Sequence, residues 1–183
     1  MLIDLRYQGL PFFALLGRRA FNLELDALGP LLIISAVTPI VANAAWGWLA
    51  DNRGNRWALA AAAALGLLAP ILGGLLLMVP VDRTAALVLL GGIVFVTGAA
   101  STGVDLTTKN IVLDLAPSAA ERPLTIGVND TLVGIPTALL VGAGAIIDLV
   151  GFAPIYVGIG ALTLLGVILA ARLPTAHQVE AVA

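Results

Sequence analysis

The chain has 183 residues and a net charge of −2, with 60% of its residues hydrophobic and only 11% charged. A soluble domain carries about 25% charged residues, so at a mean hydropathy of +1.06 only an integral membrane protein fits. Zero cysteines and a single histidine, His177, exclude disulfide scaffolds, thiolate or histidine metal sites and the usual catalytic triads, and the lack of a basic block excludes a nucleic-acid partner.

A helix needs about 20 apolar residues to cross hydrocarbon. The first apolar piece, Leu10–Gly17 (LPFFALLG), has eight residues and is followed by Arg18 and Arg19. It is too short to cross, and Asp4 and Arg6 before it do not make a signal peptide. Residues 1–26 are therefore expected to be the remnant of a preceding helix and its loop. Beyond them, charges divide the sequence into membrane lengths: 24 uncharged residues between Asp26 and Asp51, 25 between Arg56 and Asp82, 21 between Arg83 and Asp105, and 23 between Asp148 and Arg172. From Pro123 to Ile147 only Asp130 interrupts. The expectation is an all-α integral membrane protein whose residues 27–173 form a five-span bundle, with spans at about 27–50, 57–80, 84–113, 123–147 and 152–172. Residues 174–183 are expected to be a disordered cytoplasmic tail.

The turns have recognisable chemistry. Gly54 can take positive φ in the Asp51–Arg56 turn (DNRGNR), and Asp51 is expected at the N-terminus of the next helix, where the macrodipole favours an anion. Pro80, Asp82 and Arg83 make the second turn. Pro117 lies in the longest link, which ends on Pro123, and Gly151 and Pro154 close the last hairpin. Pro39, Pro70 and Pro136 fall near mid-span, where bundled membrane helices tolerate them. Arg53, Arg56, Lys109, Arg122 and Arg172 fall on one side, against Arg18, Arg19 and Arg83 on the other, with Arg6 as a fourth. The positive-inside rule then puts the Asp51–Arg56 turn and the C-terminus in the cytoplasm. Five spans would leave the N-terminus outside, the arrangement expected of a fragment.

Polar residues are unevenly shared. The second span, Trp57–Val79, has no polar side chain, and the fifth has only Tyr156 and Thr163; both are expected to face lipid. The first carries Ser35, Thr38 and Asn43. On the third, Thr97, Ser101, Asp105 and Thr108 are spaced 4, 4 and 3 and share a face. Asn129 and Asp130 adjoin on the fourth. Unpartnered polar groups are costly in hydrocarbon, so these faces are expected to meet protein or a wet cavity. Gly127, Thr131, Gly134, Ala138 and Gly142 add a small-residue stripe suited to close packing on the fourth span.

The first turn contains Gly47-Trp48-Leu49-Ala50-Asp51-Asn52-Arg53-Gly54-Asn55-Arg56. Read plainly, it is a charged cytoplasmic turn. It also resembles the G-x-L-A-D-x-x-G-x-R signature of the major facilitator superfamily, the twelve-helix secondary transporters. All six fixed letters match, while Asn52 and Asn55 stand where family copies often carry a basic residue. The stretch LDLAPSAAERP, followed by GVNDTLVGIPTALLVGAGAIIDLVGFAPIY and a final apolar helix, is similar to the end of such a chain. The resemblance covers roughly Pro11 to Leu173. It implies helices eight to twelve, most of the C-terminal six-helix bundle, with residues 10–17 as the outer end of the seventh. It also implies a cytoplasmic gating role for Gly47, Asp51, Arg53, Gly54 and Arg56.

Candidate transport-path residues are Asp130, Asn129, Asp105, Lys109, Ser101 and Asn43. Asp105 and Lys109 are i,i+4 neighbours; a solvated pair at the helix end and a cytoplasmic gate contact both fit. Asp130 lies seven residues past Pro123, roughly 10 Å into its span. Proton coupling or substrate contact is one reading of it, and a structural hydrogen bond or a pair with Lys109 or Arg122 is the other. Asn43 is read first as a helix-packing hydrogen bond. The leading function is transport of a small solute by alternating access, in the cell (inner) membrane, with a missing N-terminal half or another membrane subunit as partner. The alternative is a truncated, non-transporting fragment or packing subunit. An enzyme is not expected, because no H-E-x-x-H or G-x-S-x-G is present, and no cofactor or metal is expected either.

Overall fold

The computed structural model describes residues 9–24, 29–114, 116, 118, 120–139 and 143–171, with side chains described except at 9–12, 132–139, 143–146 and 171. Seven α-helices and no strand lie among the described residues: α1 (Gly9–Phe21), α2 (Gly29–Arg53), α3 (Asn55–Met78), α4 (Arg83–Asp114), α5 (Arg122–Leu139), α6 (Ala143–Val150) and α7 (Phe152–Ala171). The chain is an all-α membrane protein. Four helices, α2, α3, α4 and α7, are each long and apolar enough to cross a bilayer.

The expected fourth span is described as two helices, α5 and α6, with residues 140–142 between them outside the described residues. Arg122, Asn129 and Asp130 dilute the hydropathy of α5, and α6 has only eight residues. The expected tail, 174–183, also lies outside the described residues.

Local chemistry sets the boundaries. Gly54 takes φ 85° between α2 and α3, and its N–H returns to the Ala50 carbonyl at 2.8 Å. Gly151 takes φ 78°, with its N–H on the Ile147 carbonyl at 2.8 Å, between α6 and α7. At both points a side chain would meet the left-handed steric penalty that glycine escapes. Asp82 caps α4 by accepting the Ala85 N–H on its carboxylate at 2.6 Å. Asp51 does not cap α3. It lies in the last turn of α2, and the residue preceding α3 is Gly54, with no side-chain cap bond.

Helix α1 extends past the apolar piece to Phe21, taking in Arg18 and Arg19, and ends where Asn22 adopts φ 50°. It is an integral part of the core. Phe13 and Leu16 pack in a cluster with Leu31 of α2, Leu76 of α3, Leu90 of α4 and Tyr156 of α7. A second cluster, Leu59, Ala62, Val104 and Ala170 with Trp46 and Ile111 against it, fills the opposite end.

The packing order differs from the polarity order. Helix α3, expected to face lipid, is wedged between α4 and α7, while much of the more polar α2 is exposed. Lipid tails are as apolar as leucine, so an oily helix gains nothing by reaching them; close approach of small residues decides who packs. On α3 the buried positions include Ala58, Ala62, Ala63, Gly66, Ala69 and Gly73. The expected small stripe on α5 is not seated in this way, since a Cβ on Gly127 would meet open space and Thr131 is exposed. The side chains of the other stripe residues lie outside the described set.

Candidate functional site

Three helices meet the same membrane face: α2 with its end, α4 with its end, and α5 with its start. The start of α3 fixes this level. Its Asn55 amide donates to the Asp114 carboxylate at 3.4 Å, and its carboxamide oxygen accepts from Asn110 at 3.1 Å, so the signature turn is clasped to the last turns of α4. Counting 1.5 Å per residue inward from that face puts Asn43, Asp105 and Asp130 about 15, 13 and 12 Å deep on α2, α4 and α5. Asn43, Asp105 and Asp130 thus share one layer across three helices.

The candidate residues behave differently from one another. Asp105 and Lys109 form an ion pair at 2.9 Å, and each is partly exposed. They are not at the helix end, because α4 continues two turns past Asp105 to Asp114. Asp130 is exposed on α5 and accepts a 3.3 Å bond from the amide of half-buried Asn129. Asn43 is exposed on α2. Ser101, by contrast, is 8% exposed and donates to the Thr97 carbonyl of its own helix at 2.8 Å. In the signature turn, Asp51, Arg53 and Gly54 are exposed, whereas Gly47 and Arg56 are half-buried.

The hydroxyls do not require a wet cavity. Thr38, Thr97, Ser101, Thr102, Thr107 and Thr163 each donate to the carbonyl four residues back, at 2.6–2.8 Å. This local bond satisfies the hydroxyl inside the helix at little cost to the backbone. The expectation that these faces meet protein or a wet cavity holds for Thr38, Thr97 and Ser101, which are buried against protein, while the hydroxyl itself is satisfied by its own helix. Carboxylates and carboxamides have more bonding capacity than a helix can absorb.

Sequence reading missed the residue that joins α2 to α4. Trp46 donates its indole N–H to the Ala99 carbonyl at 2.7 Å, and its ring lies over Gly103, where an added Cβ would come within 2.6 Å of Cε2 and 2.7 Å of the Ala62 methyl. Gly98 and Gly91 play the same part higher on the seam, where an added Cβ would lie 3.2 Å from Thr38 and 3.1 Å from Ile34. Asn55 was noted only as a departure from a basic position, yet it forms the clasp. No local signal marks either, since each depends on a partner more than 50 residues away.

On the opposite membrane face Arg19 pairs with Asp148, joining the end of α1 to α6, and Arg83 pairs with Glu24 at 3.3 Å. Both pairs are exposed and worth at most about 1 kcal/mol each. No group of three or more potential metal ligands occurs among the described residues.

No curated relative and no solved structure matches the chain. The sequence profile described as Major Facilitator Superfamily matches residues 8–182. With apolar helices long enough to cross a bilayer and a match over nearly its whole length, the chain belongs to the major facilitator superfamily of membrane transporters.

Proposed function

We propose that the chain supplies one helix bundle of a secondary transporter that moves a small solute by alternating access, with α2 to α7 corresponding to helices eight to twelve and α1 to the outer end of the seventh. The observation that carries this reading is the exposure of Asp130, about 12 Å along α5, in a layer with Asn43 and Asp105. An ionisable side chain at that depth does not face hydrocarbon; it lines a water-filled path or meets a partner bundle. The exposed length of α2 supplies the surface against which a second bundle, either an N-terminal half or another subunit, would rock.

The Asp51–Arg56 turn is the gating element in this scheme. Its clasp through Asn55 makes it move with α4, so a rocking motion would carry Asp51 and Arg53 as a rigid edge. The Lys and Arg distribution supports a cytoplasmic position for this turn and for the C-terminus in the cell membrane. The alternative, a packing subunit without transport of its own, draws on the same exposed face of α2.

Uptake by cells expressing the complete reading frame separates the two. A panel of sugars, amino acids, organic acids and lipophilic cations, offered with and without an imposed pH gradient, should reveal an accumulated class. Asp130→Asn should abolish the gradient-driven part while leaving membrane insertion intact. Uptake that is indifferent to Asp130→Asn removes this residue from coupling, and no uptake of any class favours the packing subunit.

A further inference from the structure

The last half of α3 is flanked by two apolar furrows. One, of about 340 Å³, lies between α3 and α4 and is lined by Leu72, Leu75, Val88 and Gly92 among others. The second, of about 670 Å³, lies between α3 and α7 and includes Pro70, Gly74, Leu75, Val157 and Gly160. Leu75 belongs to both, forming a single rib between them. Each furrow starts near the membrane boundary, at Val79 or Met78, and runs inward about 10 Å to Leu72 or about 16 Å to Leu67 at helical rise. Half of a hydrocarbon core is about 15 Å, so along α3 both furrows reach to about the bilayer midplane.

The mouth carries mixed charge. Arg83 follows directly on the turn that closes the first furrow, with its side chain 53% exposed although it pairs with Glu24, and Asp82 is exposed beside it. A cation set against two carboxylates complements a headgroup that itself holds a phosphate and an ammonium. A purely anionic headgroup would meet two repelling carboxylates.

We infer that this surface is a binding site for one zwitterionic two-chain phospholipid, with one acyl chain in each furrow astride Leu75, its phosphate on Arg83 and its ammonium towards Asp82 and Glu24. Paired furrows on either side of one rib give each acyl chain of a two-chain lipid its own groove.

The test is lipid retention by native mass spectrometry, after the full chain is extracted in mild detergent from bilayers of equal dioleoyl phosphatidylethanolamine and dioleoyl phosphatidylglycerol. One phosphatidylethanolamine per chain should remain. Gly74→Leu and Gly92→Leu place a side chain into open furrow space without meeting any atom within 4 Å of the new Cβ, and each should lower retention ~tenfold. Gly158→Leu, equally open but not on either furrow, should leave it unchanged. Arg83→Gln should lower it about fivefold, the weight of one interfacial arginine. Competition on the unaltered chain needs no variant: a one-chain lysophosphatidylethanolamine should displace the lipid ~tenfold less well than its two-chain parent. Absence of retained lipid, equal retention of phosphatidylglycerol, indifference to both furrow-filling variants, or equal competition by the one-chain lipid would each overturn the assignment.

Discussion

The seam where α2 and α3 press on α4 and the open face of α2 and α5 obey opposite rules. Along the seam, glycines at 91, 98 and 103 admit Ile34, Thr38 and Trp46 to contact distance, and the hydroxyls of Thr38, Thr97, Ser101 and Thr102 are satisfied within their own helices. The open face carries Asn43 and Asp130 uncovered. Polarity by itself does not decide which helix is inside in hydrocarbon. Small side chains decide the packing, and only groups too demanding for a helix to satisfy mark the path.

The sharpest way to break this contrast is at its tightest contact. Gly103→Leu drives a side chain into the Trp46 ring and Ala62, and a loss of more than about 3 kcal/mol, read as failure to recover folded chain in detergent, is expected. Gly92→Ala, at an open position of the same helix, should instead raise stability by about 0.5–1 kcal/mol through the lower helix cost of alanine. Equal effects at both sites would show that the seam is not closed.

The clasp at the signature turn offers an intermediate effect with a pH signature. Asn55→Asp sets a second carboxylate against Asp114 in place of a donated amide. Like charge raises the folded-state pKa of the pair, so the penalty is present above the ordinary carboxylate range near 4 and fades as pH falls through it. Thermal unfolding should show a loss of about 1–2 kcal/mol at pH 7 that shrinks towards pH 4. A loss independent of pH would mean that the turn is not held through Asp114.

The smallest effect belongs to Tyr156, whose ring edge rests on Gly73 and whose buried hydroxyl lacks a hydrogen-bond partner among the described residues. Removing an unsatisfied group is neutral to favourable. Tyr156→Phe should leave stability unchanged or raise it by up to about 1 kcal/mol. A drop of that size would reveal a partner for the hydroxyl.

Much of the fold could be read from the chain because charges are punctuation in a membrane sequence: Arg56 and Asp82 bound an oily length with nothing polar inside it, and Gly54 and Gly151 sit where turns need positive φ. The Asp105–Lys109 pair was legible from its spacing alone. Two inferences went astray because a rule was pressed too far. Arg18 and Arg19 marked the end of an apolar run but not of the α1 helix, since long basic side chains are tolerated at a helix end near the interface. The stretch Trp57–Val79, with no polar side chain, was expected to face lipid, yet small residues such as Ala62, Ala63 and Gly66 seat α3 between α4 and α7. Trp46 on Gly103 and Asn55 on Asp114 join distant stretches of chain, and nothing in their own neighbourhoods betrays the match.

The chain has no cysteine, so a single introduced thiol reports its own surroundings. The decisive measurement is the reaction of a polar, membrane-impermeant maleimide with Asn43→Cys and Asp130→Cys, set against Ala62→Cys and Ala100→Cys, both of which replace fully buried alanines. Rapid labelling at 43 and 130, with none at 62 and 100 until the protein is unfolded, is the predicted outcome. Labelling at 62 or 100 with silence at 130 would contradict it, leaving a wet seam and a dry face.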